Sequence, residues 1–354
     1  MRENNSIYIL GAQLSATHYL PKAAVNQKIP DLFVPANQPI ETVVINYLGR
    51  RYAKKLDRSV QLAIFTAETL ISQFNFSEDD RQNTGLCFGN NYGGWNYVEG
   101  QMQGLYQGGE NPLNPYVATA WFPAAAQGEI SIRNKLHGHS KTFSLDQLSS
   151  AVAIEYSIDL LRNEKLKYVI TGGYESLQSD LIASFLYSNQ LVSDNYQASE
   201  AASMLMLSQH DADQALAEIA FHRIGNDLTE LLSELVSSYS ADSINYYMLA
   251  PLNISSHGSI LAREMMVLNR FNTINTPIGM PTYFLGDICG ASFAAQVNMA
   301  SWMIQSNSLP YSYLGKYGIA NTESEHHDRF TAIVLIGRDY FGEQYSVSLI
   351  RAVI

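Results

Sequence analysis

Cysteine is nearly absent from this chain. Its 354 residues include two, Cys87 and Cys289, and neither belongs to a CxxC pair. A disulfide framework and a cysteine zinc site therefore have no support, and a reducing cytoplasm is the expected compartment. Basic charge is scarce as well: Lys and Arg number 22 against 33 Asp and Glu, for a formal net charge of −11. Phosphate recognition needs clustered cations, so a nucleic-acid-binding role is not expected. Charged residues of both signs make up 16% and hydrophobic residues 46%, which excludes intrinsic disorder and leaves a folded chain with a large core. Long unbroken apolar runs are also missing. The most apolar segment, Ile288 to Ile304, is interrupted by Gln296, Asn298 and several serines, and reads as a buried helix rather than a membrane span. The opening "MRENNSIYILGAQLSA" carries Glu3 and only a short apolar run, so it reads as a first strand and not as a signal peptide.

What the chain does contain is alternation. "SIYILG", "NTGLCFGNNYGG", "LKYVITGGYES", "EAASMLMLS", "INYYMLAPL", "FTAIVLIG" and "YSVSLIRAVI" are strand candidates, and "SVQLAIFTAETLISQF" has helical spacing. Such alternation predicts α/β layers with buried strands. No short-period repeat and no Pro- or Ser-rich linker divides the chain. A weak division falls near Ser208 to Ala215, where "QHDADQA" follows one strand and precedes another.

"KTFSLDQLSSAVAIEYSIDLL", Lys141 to Leu161, predicts a short strand, a sharp turn and a helix with Ile154, Ile158 and Leu161 on one face. Ser144 and Gln147 fit a capping box, with Ser144 as N-cap and Gln147 at the third helical position. The same turn is also a seat for a nucleophile, because a cysteine at a helix N-terminus is favoured as thiolate. An amide gains no such activation; it only donates and accepts hydrogen bonds.

The surroundings of Gln147 are ordered and spaced: "GNNYGG" from Gly89, then "WF" at Trp121 and Phe122 with "GEISIRNKLHGHS", then the turn, then "VITGGYES" from Val169, with "KLDRSVQLAI" upstream. Together they resemble the β-ketoacyl synthases of the thiolase superfamily, and within them the chain-length-factor branch of type II polyketide synthases. Glutamine at the nucleophile position marks that branch, and also marks decarboxylating loading ketosynthases. The resemblance places the rest of the catalytic set at His257 in "NISSHGSI", Thr282 at the family's lysine position and Asp287 at its second histidine position. "GRDYFGEQY" stands for a glycine-rich family segment and keeps little more than Phe341 and Gly342, while "SEAASM" stands for "GDGAGM". The implied fold is the five-layered α-β-α-β-α thiolase fold, with residues 1–208 and 209–354 as two similar halves. No cofactor and no metal is implied.

Condensation needs a nucleophile to hold the acyl chain and donors for the enolate. Gln147 removes the first. Asp287 places a carboxylate where a neutral donor belongs, Thr282 removes the lysine, and His257 alone cannot rebuild the site. Cys289 and Cys87 read as small buried hydrophobes. "EHHD", Glu325 to Asp328, reads as a solvated loop rather than a metal site, and "HGH" at His137 to His139 as a structural turn between strands. Trp95, Val98, Met102 and Leu105 recur on one helical face, which by spacing alone is an ordinary core stripe. The resemblance instead implies that Trp95, Val98 and Met102 line the end of an acyl tunnel at a dimer interface, with Trp121 and Phe122 beside them. The expected partners are a ketosynthase subunit, the growing polyketide chain, and an acyl carrier protein docking mainly on the ketosynthase, with an aromatic polyketide as product. An aryl polyene product, a malonyl-carrier-protein decarboxylase using Gln147, and a scaffold with no influence on length are the alternatives.

Overall fold

Runs of β-branched and aromatic residues become ten strands among the described residues, several of them buried along their whole length. The computed structural model describes residues 6–17, 39–108, 113–192, 197–251, 257–272, 276–308 and 329–353. The strands are β1 (Ile7–Ala16), β2 (Thr84–Gly89), β3 (Ser140–Phe143), β4 (Tyr168–Ser176), β5 (Glu200–Ser208), β6 (Ala217–Gly225), β7 (Tyr246–Leu249), β8 (Ile278–Gly279), β9 (Ala332–Arg338) and β10 (Tyr345–Arg351). They form one sheet in the order β3-β2-β4-β5-β1-β6-β10-β9-β7-β8. The order is palindromic about the antiparallel β1–β6 seam. Directions repeat as well: β2 is parallel to β3 and β4, and β7 is parallel to β8 and β9, while the strands nearer the seam pair antiparallel.

Helices cover both faces, as strands buried on two sides require. On the first half lie α1 (Ile40–Leu48), the short α2 (Arg50–Ala53), α3 (Arg58–Ile71) and α4 (Glu78–Gln82). After β2 come α5 (Trp95–Gly108), α6 (Val117–Ala120) and α7 (Ala125–Asn134), and after β3 comes α8 (Ser149–Arg162). The remainder are α9 (Asp180–Ser188), α10 (Leu228–Ser238), α11 (His257–Phe271) and α12 (Ser292–Ser306). Leu62 and Leu70 of α3 pack with Phe88 and Met204 on one outer face; Leu231 and Leu235 of α10 pack with Val334 and Val347 on the other. Between the two half-sheets, Ile154, Ile158 and Leu161 of α8 share a core with Phe293, Val297 and Met299 of α12. The result is five layers, with α8 and α12 as the central one.

The polar residues that interrupt the apolar run Ile288 to Ile304 stitch this central layer to both half-sheets. Gln296 Nε2 donates to the carbonyls of Met248 (3.5 Å) and Ile336 (3.4 Å), and Asn298 Nδ2 donates to Ser203 Oγ (2.7 Å). Buried amides need such partners. No helix among the described residues is long and apolar enough to cross a membrane. "HGH" lies between α7 and β3, not between two strands as its sequence suggests; Gly138 N–H donates to Thr84 O at 3.1 Å and His139 Nε2 pairs with the Tyr156 hydroxyl at 2.9 Å.

Two buried polar groups yield stability predictions. Arg338 and Glu264 are both fully buried and paired in bidentate fashion (2.6 and 2.9 Å), and Arg338 also donates to the carbonyls of Ala250 (2.9 Å) and Pro251 (3.1 Å). Arg338→Met strands a carboxylate in the core and should cost about 3–5 kcal/mol in denaturant unfolding, whereas adding Glu264→Leu should recover much of the loss. If Arg338→Met unfolds at the parent midpoint, the pair is not holding β9 to α11. His222 Nε2 faces Ala151 O at 3.1 Å and its Nδ1 faces Ser348 Oγ, a neutral ring donating on one side and accepting on the other. Burial pushes its pKa down to about 4. A folded pKa below the ordinary 6.5 means the stabilisation is complete above that pH and drains away as pH falls from 6.5 through 4. Melting curves of His222→Gln should therefore lose less stability than the parent across that window; an equal loss refutes the assignment.

Candidate functional site

The turn between β3 and α8 is built by its neighbours. Ser144 Oγ donates to Asn90 O (2.7 Å), Asp146 N–H to Asn91 Oδ1 (3.0 Å), and Leu145 N–H to Ser149 Oγ (2.8 Å). A 3₁₀ turn, Asp146–Leu148, separates Ser144 from the helix, with Asp146 at φ 34°. The capping box suggested by the sequence is therefore not formed. Ser144 is committed to Asn90, and the N-cap of α8 is Leu148, which makes no side-chain cap bond. Gln147 sits in the turn, buried, and its carbonyl oxygen Oε1 has no hydrogen-bond partner.

A second 3₁₀ turn, Cys289–Ala291, precedes α12 as the first precedes α8, and Cys289 also has φ 34°. Asp287, 1% exposed, holds this turn: its Oδ1 accepts from Cys289 N–H (2.9 Å) and its Oδ2 from the Tyr340 hydroxyl (2.8 Å). The Tyr340 N–H in turn reaches Asp146 Oδ2 at 3.4 Å. One residue thus ties the two turns together. Thr282 is buried as well, and its Oγ1 has no partner. His257 is the first residue of α11, but its side chain lies outside the described residues, as does the whole of "EHHD".

Glu175, at the end of β4, faces the same place. It accepts from Asn90 Nδ2 (3.0 Å), Asn91 N–H (2.8 Å) and Tyr92 N–H (3.4 Å). Burial raises its pKa to about 8 and that of Asp146 to about 7. The Cys289 thiol is pushed well above its ordinary range, by burial first and then by Glu175, Asp287 and Asp146. A thiolate there is suppressed. Cys87 is buried within β2 and also pushed up by burial, to about 11. Among the described residues no group of three or more His, Cys, Asp or Glu side chains is placed to hold a metal ion.

The tunnel candidates lie on a different part of the surface. Gly93 and Gly94 set the entry to α5: a Cβ on Gly94 would stand 1.8 Å from Ala120 O, and one on Gly93 2.2 Å from Trp121 O. Only bare backbone lets α5 start against the segment carrying Trp121. Along α5, Val98 is buried and Met102 half-buried, whereas Trp95 is 41% exposed and Leu105 lies at the surface. The stripe is thus not an ordinary core face within this chain. Trp121 and Phe122 are about half exposed and meet edge to face at 6.0 Å. Trp95 walls a depression of about 320 Å³ with Tyr92, Leu181, Ile182 and Phe185. Sequence reasoning missed the α9 residues. Their signal was "DLIASFLYS", where Ile182 and Leu186 point inward while Leu181 and Phe185 remain exposed, so that both faces of one short helix are apolar.

The comparisons with known proteins agree with this frame. The model of the beta-ketoacyl synthase N-terminal domain matches residues 15–204, more than half of the chain. The ketoacyl synthase beta subunit of the tetracenomycin polyketide synthase of Streptomyces glaucescens is 30% identical over 132 residues, which are 37% of this chain and 32% of that protein. The matched region thus spans about a third of the length of such curated relatives. Among solved structures, an acyl-carrier protein in complex with its type II ketosynthase (AntDE:AntF) superposes with a TM-score of 0.71 at 19% identity, covering 98% of this chain and 99% of the other. The ketosynthase ApeO with its chain length factor ApeC from Xenorhabdus doucetiae gives 0.73 at 15% identity, covering 98% of both. At these identities the structures establish the fold, which is the thiolase fold expected from the sequence. With its fold and more than half its length accounted for, the chain belongs to the beta-ketoacyl synthase family.

Proposed function

We propose that this chain is a non-catalytic chain-length-factor subunit that pairs with a ketosynthase and shapes the shared tunnel in type II polyketide biosynthesis. The observation that carries the reading is the pairing of a disabled seat with an uncovered apolar face. At the seat, an amide replaces the nucleophile, and three carboxyl groups (Asp146, Glu175 and Asp287) stand where an enolate would need donors. Both oxygens of Asp287 are already committed as acceptors and offer an enolate no donor, which counts against a glutamine-type decarboxylase as well. On the surface, Trp95, Trp121, Phe122, Leu181 and Phe185 are exposed, far more than isolated surface hydrophobes require. A ketosynthase partner would cover this face and supply cysteine and histidines. We assign Trp95, Val98 and Met102 to the tunnel wall and Trp121 and Phe122 to the interface.

The likeness to ketosynthase complexes, one with a carrier protein, supports an acyl carrier protein as the delivering partner. Docking mainly on the ketosynthase follows from the −11 charge of this chain, since carrier proteins are typically acidic. We propose an aromatic product, supported by the identity to the tetracenomycin subunit, and a cytoplasmic location. The division at Ser208, supported by the palindromic strand order, makes 1–208 the half that bears the interface and 209–354 the half that completes the core.

The test is reconstitution with the ketosynthase encoded beside it, followed by mass analysis of products. Trp95→Ala should release products longer by one or more extender units. Unchanged product length removes Trp95 from the gate. A covalent acyl adduct on this chain during turnover sinks the non-catalytic reading altogether.

A further inference from the structure

The depression beside Trp95 has a floor. Two of its wall residues, Tyr92 and Ile182, pack inward against a buried cluster containing Leu177, Leu186, Cys289 and Tyr340. Tyr340 is 2% exposed and fixed at two points, by its hydroxyl on Asp287 and its N–H on Asp146. Tyr92 stands between the depression and that interior. On the inner side its phenol, already pushed up by burial, feels Cys289, Asp287, Glu175 and Asp146. On the outer side it meets Trp95, Leu181 and Phe185. Its position is set by backbone, since Asn91 and Tyr92 both donate N–H groups to Glu175.

We propose that Tyr92, backed by the Asp287-latched Tyr340, is a two-ring partition that closes the inner end of the depression, so that an acyl chain entering from the interface stops there and does not reach this chain's own seat. The inference rests on the reading under "Proposed function" and adds a stop distinct from Trp95. The chemistry of the walls names the occupant. Among the described residues no charged side chain lines the depression, and its volume falls at the small end of ligand pockets, roughly 300–1,000 Å³. An uncharged acyl chain fits; a carboxylate or phosphate finds no partner. Behind the partition the surroundings invert. Gln147 Oε1 and the carboxyl groups of Asp146, Glu175 and Asp287 are buried or half-buried polar atoms, and an apolar chain tip pressed against them would only add desolvation. Sealing them off keeps the depression uniformly apolar and its depth defined.

The experiment uses the complex with its ketosynthase and carrier protein. Tyr92→Ala keeps the backbone bonds to Glu175 and removes a ring, opening a void on the order of 100 Å³, enough for part of an aromatic ring. The expected result is product longer by at least one extender unit, restored to parent length by Tyr92→Phe. Trp95→Ala runs in parallel. If Trp95→Ala changes product length and Tyr92→Ala does not, the partition is refuted and the subunit reading stands. If neither changes it, both fall. Should Tyr92→Ala fail to fold, Tyr340→Val combined with Asp287→Asn removes the backing ring together with the carboxylate that would lose its donor. Longer products again support the partition, and parent-length products overturn it.

Discussion

Two turns have to meet at the middle of this molecule. The palindromic sheet places α8 and α12 side by side in the central layer, and each begins with a 3₁₀ turn whose first residue is Asp146 in one case and Cys289 in the other, both at φ 34°. The side chains that occupy those turns are buried or half-buried close to one another. Here they include the Asp146 carboxyl group, the Gln147 amide and the suppressed Cys289 thiol, with Glu175 and Asp287 beside them. Burial raises the pKa of Glu175 to about 8 and that of Asp146 to about 7, and Asp287 accepts from the Tyr340 hydroxyl. The seat is therefore closed, and under the proposed reading it is a place of internal ties rather than of condensation chemistry.

A closed centre and an open flank have one cause. In a fold of this kind the segment from Gly89 to Phe143 serves both the seat, through Asn90 and Asn91, and the surface, through Trp95, Trp121 and Phe122. At the seat Asp287 and Tyr340 act as internal ties, while α5, α6 and α9 keep apolar residues outside. An exposed Trp and Phe cluster of this size is more than isolated surface hydrophobes require, and the proposed partner surface accounts for it.

The layers were legible because buried strands announce themselves as β-branched runs, and the helix at Ile154, Ile158 and Leu161 packs where its spacing places it. β6 was foreseen only as a strand following "QHDADQA", since "AEIAFHRIG" mixes His222 and Arg223 into its alternation; His222 turns inward to the central helix and Arg223 outward to Glu234. The capping box was misread because Ser-x-x-Gln spacing cannot reveal an intervening 3₁₀ turn. The convergence of Asp146, Glu175 and Asp287 was not legible at all, because they come from three distant segments joined only by the sheet. Tyr340 was missed for a related reason: it lies in "GRDYFGEQY", the stretch that departs furthest from its family, and its partner Asp287 is far away in sequence.

That last departure is where function and fold separate. Phe341 is one of the two family residues retained in this stretch, yet it is 58% exposed, while its neighbour Tyr340 has turned in and taken the interior. The loop carrying Tyr340 is pinned by two hydrogen bonds across the centre. Pinning stiffens the junction of the central helices, and a stiff junction gives the outer depression a fixed floor. On the proposed reading, a subunit that measures length needs a rigid wall more than a reactive atom, and the ties from Tyr340 to Asp146 and Asp287 supply that rigidity.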